Sequence, residues 1–254
     1  MESICMWFLW FIIYSFMGWL YESVLCSITG GKLTNRGFLT GPICPIYGFG
    51  AVAVLVMFYP FPMKFYLLFL FSAVITTTIE YITSVLLEKI FHTRWWDYTE
   101  QKLNIKGRVC ILGTIVFGTF SVLLVKIVHP FIIEVTSAIS KLLLFGLCGV
   151  IVAVGTVDFI VTIMSFVSLE GRLKELEEQI LGFLDSQKKR TGEWKATLVE
   201  KFETSEFYTE RVKKLLDHKS FQQSRLMKAF PKMKSIRYYH ALEKIRDKVN
   251  GRLK

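Results

Sequence analysis

The chain has 254 residues, 52% of them apolar and 15% aromatic, with 31 Lys and Arg against 21 Asp and Glu and a formal net charge of +10. That composition excludes a soluble globular domain and places the chain among polytopic membrane proteins. The charge is unevenly spread: residues 1–168 hold ten basic and eight acidic side chains and residues 169–254 hold 21 and 13, so an apolar module is joined to a basic tail.

A hydrocarbon core about 30 Å thick needs roughly 20 apolar residues of helix. In chain order, five segments reach that length: Ile4–Ile28, Gly41–Tyr59, Lys64–Leu87, Arg108–Pro130 and Lys141–Ser168. The first has no basic flank and no small-residue cleavage site, which predicts a retained span. Pro60-Phe61-Pro62 joins the second and third as a tight hairpin, and the fifth is long enough to tilt or to continue out of the membrane. The expected fold class is all-α: a polytopic transmembrane helical bundle of about five spans, with polar loops at 29–40 and 88–107. A cytoplasmic, basic, helical C-terminal extension covers residues 169–254.

Lysine and arginine in short loops set orientation. The first polar loop carries Lys32 and Arg36, the second Lys89, Arg94, Lys102 and Lys106, and with five spans the basic tail falls on the same side. The opposite side offers Lys64, Lys126 and Lys141. This predicts an outside N-terminus and a cytoplasmic C-terminus. Within the tail, Leu173, Leu176, Ile180 and Leu184 recur at helical spacing, as do Val199, Phe202, Val212, Leu215 and Leu216, with a break expected at Lys188-Lys189-Arg190-Thr191-Gly192. From Arg225 onward ten basic residues face Glu243 and Asp247. Such a stretch attracts anionic membrane lipids at about 1 kcal/mol per basic residue. No nucleic-acid recognition motif accompanies it, so nucleic acid is not an expected partner.

Helical spacing turns the spans into faces. Tyr14, Gly18 and Glu22 align on the first; Thr76 or Thr77, Glu80 and Ser84 on the third; Cys110, Thr114, Gly118 and Ser121 on the fourth; Gly155, Asp158, Thr162 and Ser165 on the fifth. Packing of small and hydroxyl residues accounts for most of these positions. It does not require carboxylates, and an ionisable group held in lipid costs several kcal/mol, which makes each one a candidate for function. Two glutamates stand in similar settings. Glu22 is followed by Asn35-Arg36-Gly37 and then Cys44-Pro45-Ile46-Tyr47. Glu80 is followed by Trp95-Trp96-Asp97-Tyr98 and then Asn104, Arg108 and Cys110.

The candidate substrate site therefore comprises Glu22 and Glu80 at the base of a cytoplasm-facing vestibule, with Asn35, Arg36, Asp97, Asn104 and Arg108 at its rim. Cys44, Tyr47, Trp96 and Cys110 flank it, and Asp158 lies nearer the midplane. Arg36 and Arg108 are close enough in depth to pair with the glutamates, so a structural ion pair and a site for a substrate, ion or proton both account for the carboxylates. Gly41-Pro42 and Cys44-Pro45 should disturb the start of the second helix, which is tolerated where backbone lines a cavity. The paired pattern suggests a parallel duplication, spans one and two matching three and four. No cofactor or metal is expected, because the five cysteines form no CxxC pair and no zinc-like cluster with histidine. A soft-metal site from Cys44, Cys110 and the glutamates is a weaker alternative.

The run Tyr14-Ser15-Phe16-Met17-Gly18-Trp19-Leu20-Tyr21-Glu22, with Asn35-Arg36-Gly37-Phe38-Leu39 and Gly41-Pro42-Ile43-Cys44-Pro45-Ile46-Tyr47-Gly48, resembles the bacterial membrane family of ABC-transporter type IV, or CmpB-like, proteins. Trp95-Trp96-Asp97-Tyr98 and Asn104-Ile105-Lys106-Gly107-Arg108-Val109-Cys110 look like its second signature, and together they cover about residues 5–165. The resemblance implies a permease of the bacterial cytoplasmic membrane. The chain has no Gly-x-x-x-x-Gly-Lys-[Ser/Thr] loop, so a separate cytosolic ATPase subunit would supply the hydrolysis. Membrane lipids and a second copy of the chain complete the expected partners. Two other readings stay open: an intramembrane enzyme acting on a lipid or lipid-linked substrate, and a membrane-anchored scaffold or sensor that signals through its tail.

Overall fold

The computed structural model describes residues 1–191, 208–217 and 221–249. The apolar runs become helices. α1 spans Glu2–Gly30 and ends at Gly31, whose φ of 63° is the left-handed conformation glycine adopts without a Cβ clash. α2 spans Pro45–Phe58 and α3 Phe65–Phe91. α4, Ile111–Leu123, passes through a π turn at Leu124–Val128 into α5, His129–Ser137, and α6 runs from Lys141 to Thr191. Among the described residues four helices have spanning length and apolarity: Glu2–Gly30, Phe65–Phe91, Ile111–Ser137 and Lys141–Phe183.

Two sequence expectations change. The segment Gly41–Tyr59 is not a full span, because its helix begins only at Pro45 and its 14 residues reach about 21 Å. The fourth span does not stop at Pro130. A proline inside a helix lacks an N–H and crowds the carbonyl four residues back. The wider π turn just before Pro130 relieves both demands, and the helix continues for another two turns.

What precedes α2 explains its shortness. Thr34 N donates to Ser27 Oγ (3.0 Å), Arg36 N to Ser23 Oγ (3.2 Å) and Cys44 N to Ser15 O (3.0 Å). The loop after α1 thus folds back along it, non-helical, as far as the middle of that helix. Backbone buried in this way must find partners inside the protein. The serines of α1 supply some of them. On α6, Asp158 accepts from Thr40 N (3.0 Å) and Gly41 N (2.8 Å).

The second half repeats the plan. α3 is followed by residues 92–110, in which strands β2 (Asn104–Ile105) and β3 (Val109–Cys110) form a hairpin through Lys106 and Gly107, both at positive φ. The short helix α4 follows, and Cys44 and Cys110 are the extended N-cap residues of α2 and α4 respectively. α1 packs on α2 through Gly18 and Gly48, and α3 on α4 through Gly118 and a Thr77–Thr114 hydroxyl contact of 2.9 Å. Residues Tyr14, Val54, Leu55, Leu68 and Val125 join the two hairpins. At the end remote from the loops, His129 is buried and bonds Tyr14 (2.7 Å).

The described residues of the tail pack onto α6. α6 continues through Lys188–Thr191, so the expected break begins no earlier than Gly192, which lies with Val199 and Phe202 outside the described residues. Helices α7 (Glu210–Asp217), α8 (Phe221–Ala229) and α9 (Tyr239–Val249) bury Val212, Leu216, Leu226, Met227, Leu242 and Ile245 against Leu169, Leu173, Leu176, Ile180 and Phe183 of α6. Each such side chain contributes roughly 2 kcal/mol by leaving water. The Glu177 carboxylate accepts from Ala241 N (2.7 Å) and so complements the N-terminus of α9.

Candidate functional site

A cavity of about 500 Å³ lies between the two hairpins. Glu22 and Glu80 both line it, together with Arg36, Cys44, Tyr47 and Trp96. The other six sequence candidates are not among the residues lining it, and most of them hold the loops in shape. Asn35 accepts from Trp19 Nε1 (2.8 Å) and from Gly37 N (3.0 Å) while donating to Thr40 O (2.9 Å). Asn104 accepts from Gly107 N (2.9 Å) and donates to Gln101 O (2.8 Å). Asp158 fastens the first loop to α6, as described above. Cys110 is buried at the head of α4. Arg108 and Asp97 belong to ion pairs away from the cavity.

The carboxylates differ in their partners. Glu22 accepts from Tyr47 Oη at 2.6 Å and pairs with Arg36 at 3.4 Å. Arg36 also donates to Ala229 O and lies 4.6 Å from the centre of the Phe230 ring. Arg108 pairs not with Glu80 but with Glu88 (2.8 Å), which also binds Arg94 (3.1 Å), and it donates to Ser84 Oγ (3.2 Å). Glu88 opens the segment 88–107 that the sequence predicts as a loop, yet it stands on the last turn of α3. Extending the stripe of Glu80 and Ser84 by one more turn would have found it.

Glu80 is thereby left without a cation. It is 5% exposed and its Oε2 has no hydrogen-bond partner. Tyr98 lines the same cavity as this carboxyl group. Burial, reinforced by the Glu80 charge, pushes the Tyr98 hydroxyl well above its ordinary range, so it remains a donor. Tyr98, Tyr21, Phe117 and Phe120 complete an aromatic wall that sequence reading had not assigned to the site. Contacts across the halves, Tyr47–Phe117 at 5.7 Å and Tyr21–Phe120 at 4.9 Å between ring centres, make it one cavity.

The tail closes the loop end of this cavity. Phe230 lines it and stands edge-on to Trp95 at 5.0 Å. Arg225 donates to Gly37 O (2.7 Å) and Phe38 O (3.0 Å), and Gln222 donates to Thr40. Strand β1 (Thr93–Arg94) pairs antiparallel with β4 (Lys234–Ser235), and Lys234 Nζ meets Asp97 at 2.7 Å. Burial alone would raise the Asp97 carboxyl, but hydrogen bonds from Lys234 and Thr99 outweigh it and hold the value at about 2, against an ordinary 3.8. A depressed carboxyl stabilises the fold fully above its unfolded value and loses that contribution as pH falls through the folded one. The grip of the tail on the second loop should therefore weaken between about pH 4 and pH 2. In Lys234→Gln, acid titration followed by tryptophan fluorescence should lack this component.

Helices of spanning length, two carboxylates held in the apolar bundle and re-entrant polar loops define a polytopic membrane protein with an internal site. A family model described as "Putative ABC-transporter type IV" (CmpB) matches residues 9–163, more than half of the chain, and the chain belongs to this family of membrane transport components. No curated protein and no solved structure matches it.

Proposed function

We propose that the chain is the membrane-embedded permease subunit of an ABC-type transport system, lying in the bacterial cytoplasmic membrane with its loop end and tail in the cytoplasm. The cavity between the hairpins is its substrate site. One observation carries this reading: Glu80, buried and with an oxygen left unpartnered, faces a cavity large enough for a small molecule. A carboxylate kept only for stability would be neutralised as Glu22 and Glu88 are. The basic loops and tail agree with a cytoplasmic loop end. That end, where residues 92–110 meet α7–α9, is where a separate ATPase subunit would dock.

The test uses membrane vesicles containing the chain and the ATPase that purifies with it. The transported solute is first identified by comparing vesicles with and without the chain. Glu80→Gln should leave recovery of the ATPase unchanged while flux of that solute drops about tenfold or more, the effect of removing one member of a buried charge pair. Undiminished flux through folded Glu80→Gln protein would sink the proposal.

A further inference from the structure

The charges that line the cavity are Glu22, Arg36 and Glu80. Glu22 and Arg36 neutralise each other, so Glu80 is the one carboxyl group of the cavity without a cationic partner among the described residues. An anionic ligand would meet a carboxylate with no free cation to offset it. A bare Ca²⁺ or Mg²⁺ ion is equally ill served, because it needs about six oxygen ligands. Among the described residues no cluster of histidine, cysteine, aspartate and glutamate could hold a metal.

Apart from the hydroxyls of Thr76, Thr83 and Ser121, the rest of the wall is mainly aromatic and aliphatic. Ring faces attract organic cations and release apolar bodies from water at the same time. Met17 and Phe120 line the cavity and are also 41% and 36% exposed on the flank of the bundle. The cavity therefore adjoins the lipid-facing surface between α1 and α4, a route suited to a ligand that dissolves in the bilayer.

We infer that the cavity binds an amphipathic organic monocation, its charged centre against Glu80 and its apolar body against the ring wall of Tyr21, Tyr98, Phe117 and Phe120. The inference rests on reading the cavity as the substrate site. Trp95 Nε1, a buried donor in the same lining, also has no partner. A hydroxyl, ether or carbonyl on the ligand would satisfy it.

Two ions of nearly the same shape and opposite charge supply the test: tetraphenylphosphonium and tetraphenylborate. Equilibrium dialysis against the purified full-length chain in neutral detergent should show saturable binding of the cation and none of the anion above detergent alone. Glu80→Gln should weaken the cation at least about tenfold, and Glu80→Asp should retain it. Equal binding of both ions, or undiminished cation binding by folded Glu80→Gln, would overturn the inference. The comparison of the two ions on the unaltered chain needs no variant to fold. Failure of the transport reading looks different. Glu80-dependent binding of the cation with no ATP-driven flux of any solute would keep the ligand class and remove transport. Glu80-dependent flux of another solute, with no cation binding, would keep transport and remove the ligand class.

Discussion

Gly48→Ala should destabilise the protein by about 3 kcal/mol, at the upper end of what overpacking costs. A methyl group at Gly48 would lie 2.7 Å from the carbonyl oxygen of Phe11 and 2.7 Å from the Phe11 ring, with the Ser15 hydroxyl closer still. A side chain can rotate away, but a helix carbonyl cannot, so α1 and α2 would have to part. Gly18 faces the ring of Tyr47 in the same way one turn along, and the two glycines set the distance between these helices. Parting them would also pull Tyr47 off Glu22 and expose the Glu22–Arg36 pair. Thermal unfolding in detergent provides the measurement. Gly146→Ala and Gly149→Ala are the internal controls, because nothing lies within 4 Å of either position. Removing a helical glycine there should be neutral or slightly stabilising. Equal stability of Gly48→Ala and these controls would show that the close contact carries no energy.

Asp158→Ala should cost about 4 kcal/mol. The carboxylate accepts from two backbone N–H groups of the re-entrant loop, Thr40 at 3.0 Å and Gly41 at 2.8 Å, and from the Thr162 hydroxyl at 3.4 Å. Each donor orphaned inside a bundle costs about 1–3 kcal/mol, and water is not at hand to replace the lost partner. Asp158→Asn keeps one acceptor oxygen but turns an N–H₂ toward the second donor, so about half the loss is expected. The order aspartate, asparagine, alanine in unfolding temperature is the signature. The consequence reaches the cavity, because the loop that Asp158 holds carries Arg36 and leads into Cys44. A binding role for Asp158 would give a different result: impaired ligand affinity with unchanged stability.

The cavity and its lock have different legibility in the sequence. Glu22 and Arg36 could be paired from depth alone, because the short loop leaves Arg36 few places to go. Arg108 could not be assigned in that way. Its true partner, Glu88, is the residue just after the apparent end of the apolar run at Leu87, and the helix continues there to Phe91, with Leu87 and Phe91 packed on the cluster that holds tail residues. Asn35, Asn104, Asp97 and Asp158 announce themselves as polar groups in an apolar module. Whether such a group meets a ligand or a backbone N–H depends on the path of a re-entrant loop, which has no periodicity to read. The ring wall was missed for the converse reason: tyrosine and phenylalanine in a membrane span look the same whether they face lipid or a cavity.

Length and apolarity dictate the helices, because every backbone group in hydrocarbon must be bonded within its own segment. The scarcity of charge in residues 1–168 and its excess in the tail likewise follow from composition and need no coordinates. The sequence by itself therefore determines an all-helical membrane module with carboxylates that call for an explanation. Tertiary structure alone decides that the second apolar segment is a short helix entered by buried loop backbone, that Pro130 is passed through a π turn, and that Phe230 and Arg225 close the loop end. It also decides which carboxylate stays without a cation. Pairing of charges depends on distances of a few ångströms between residues far apart in the chain, and no local pattern encodes those distances.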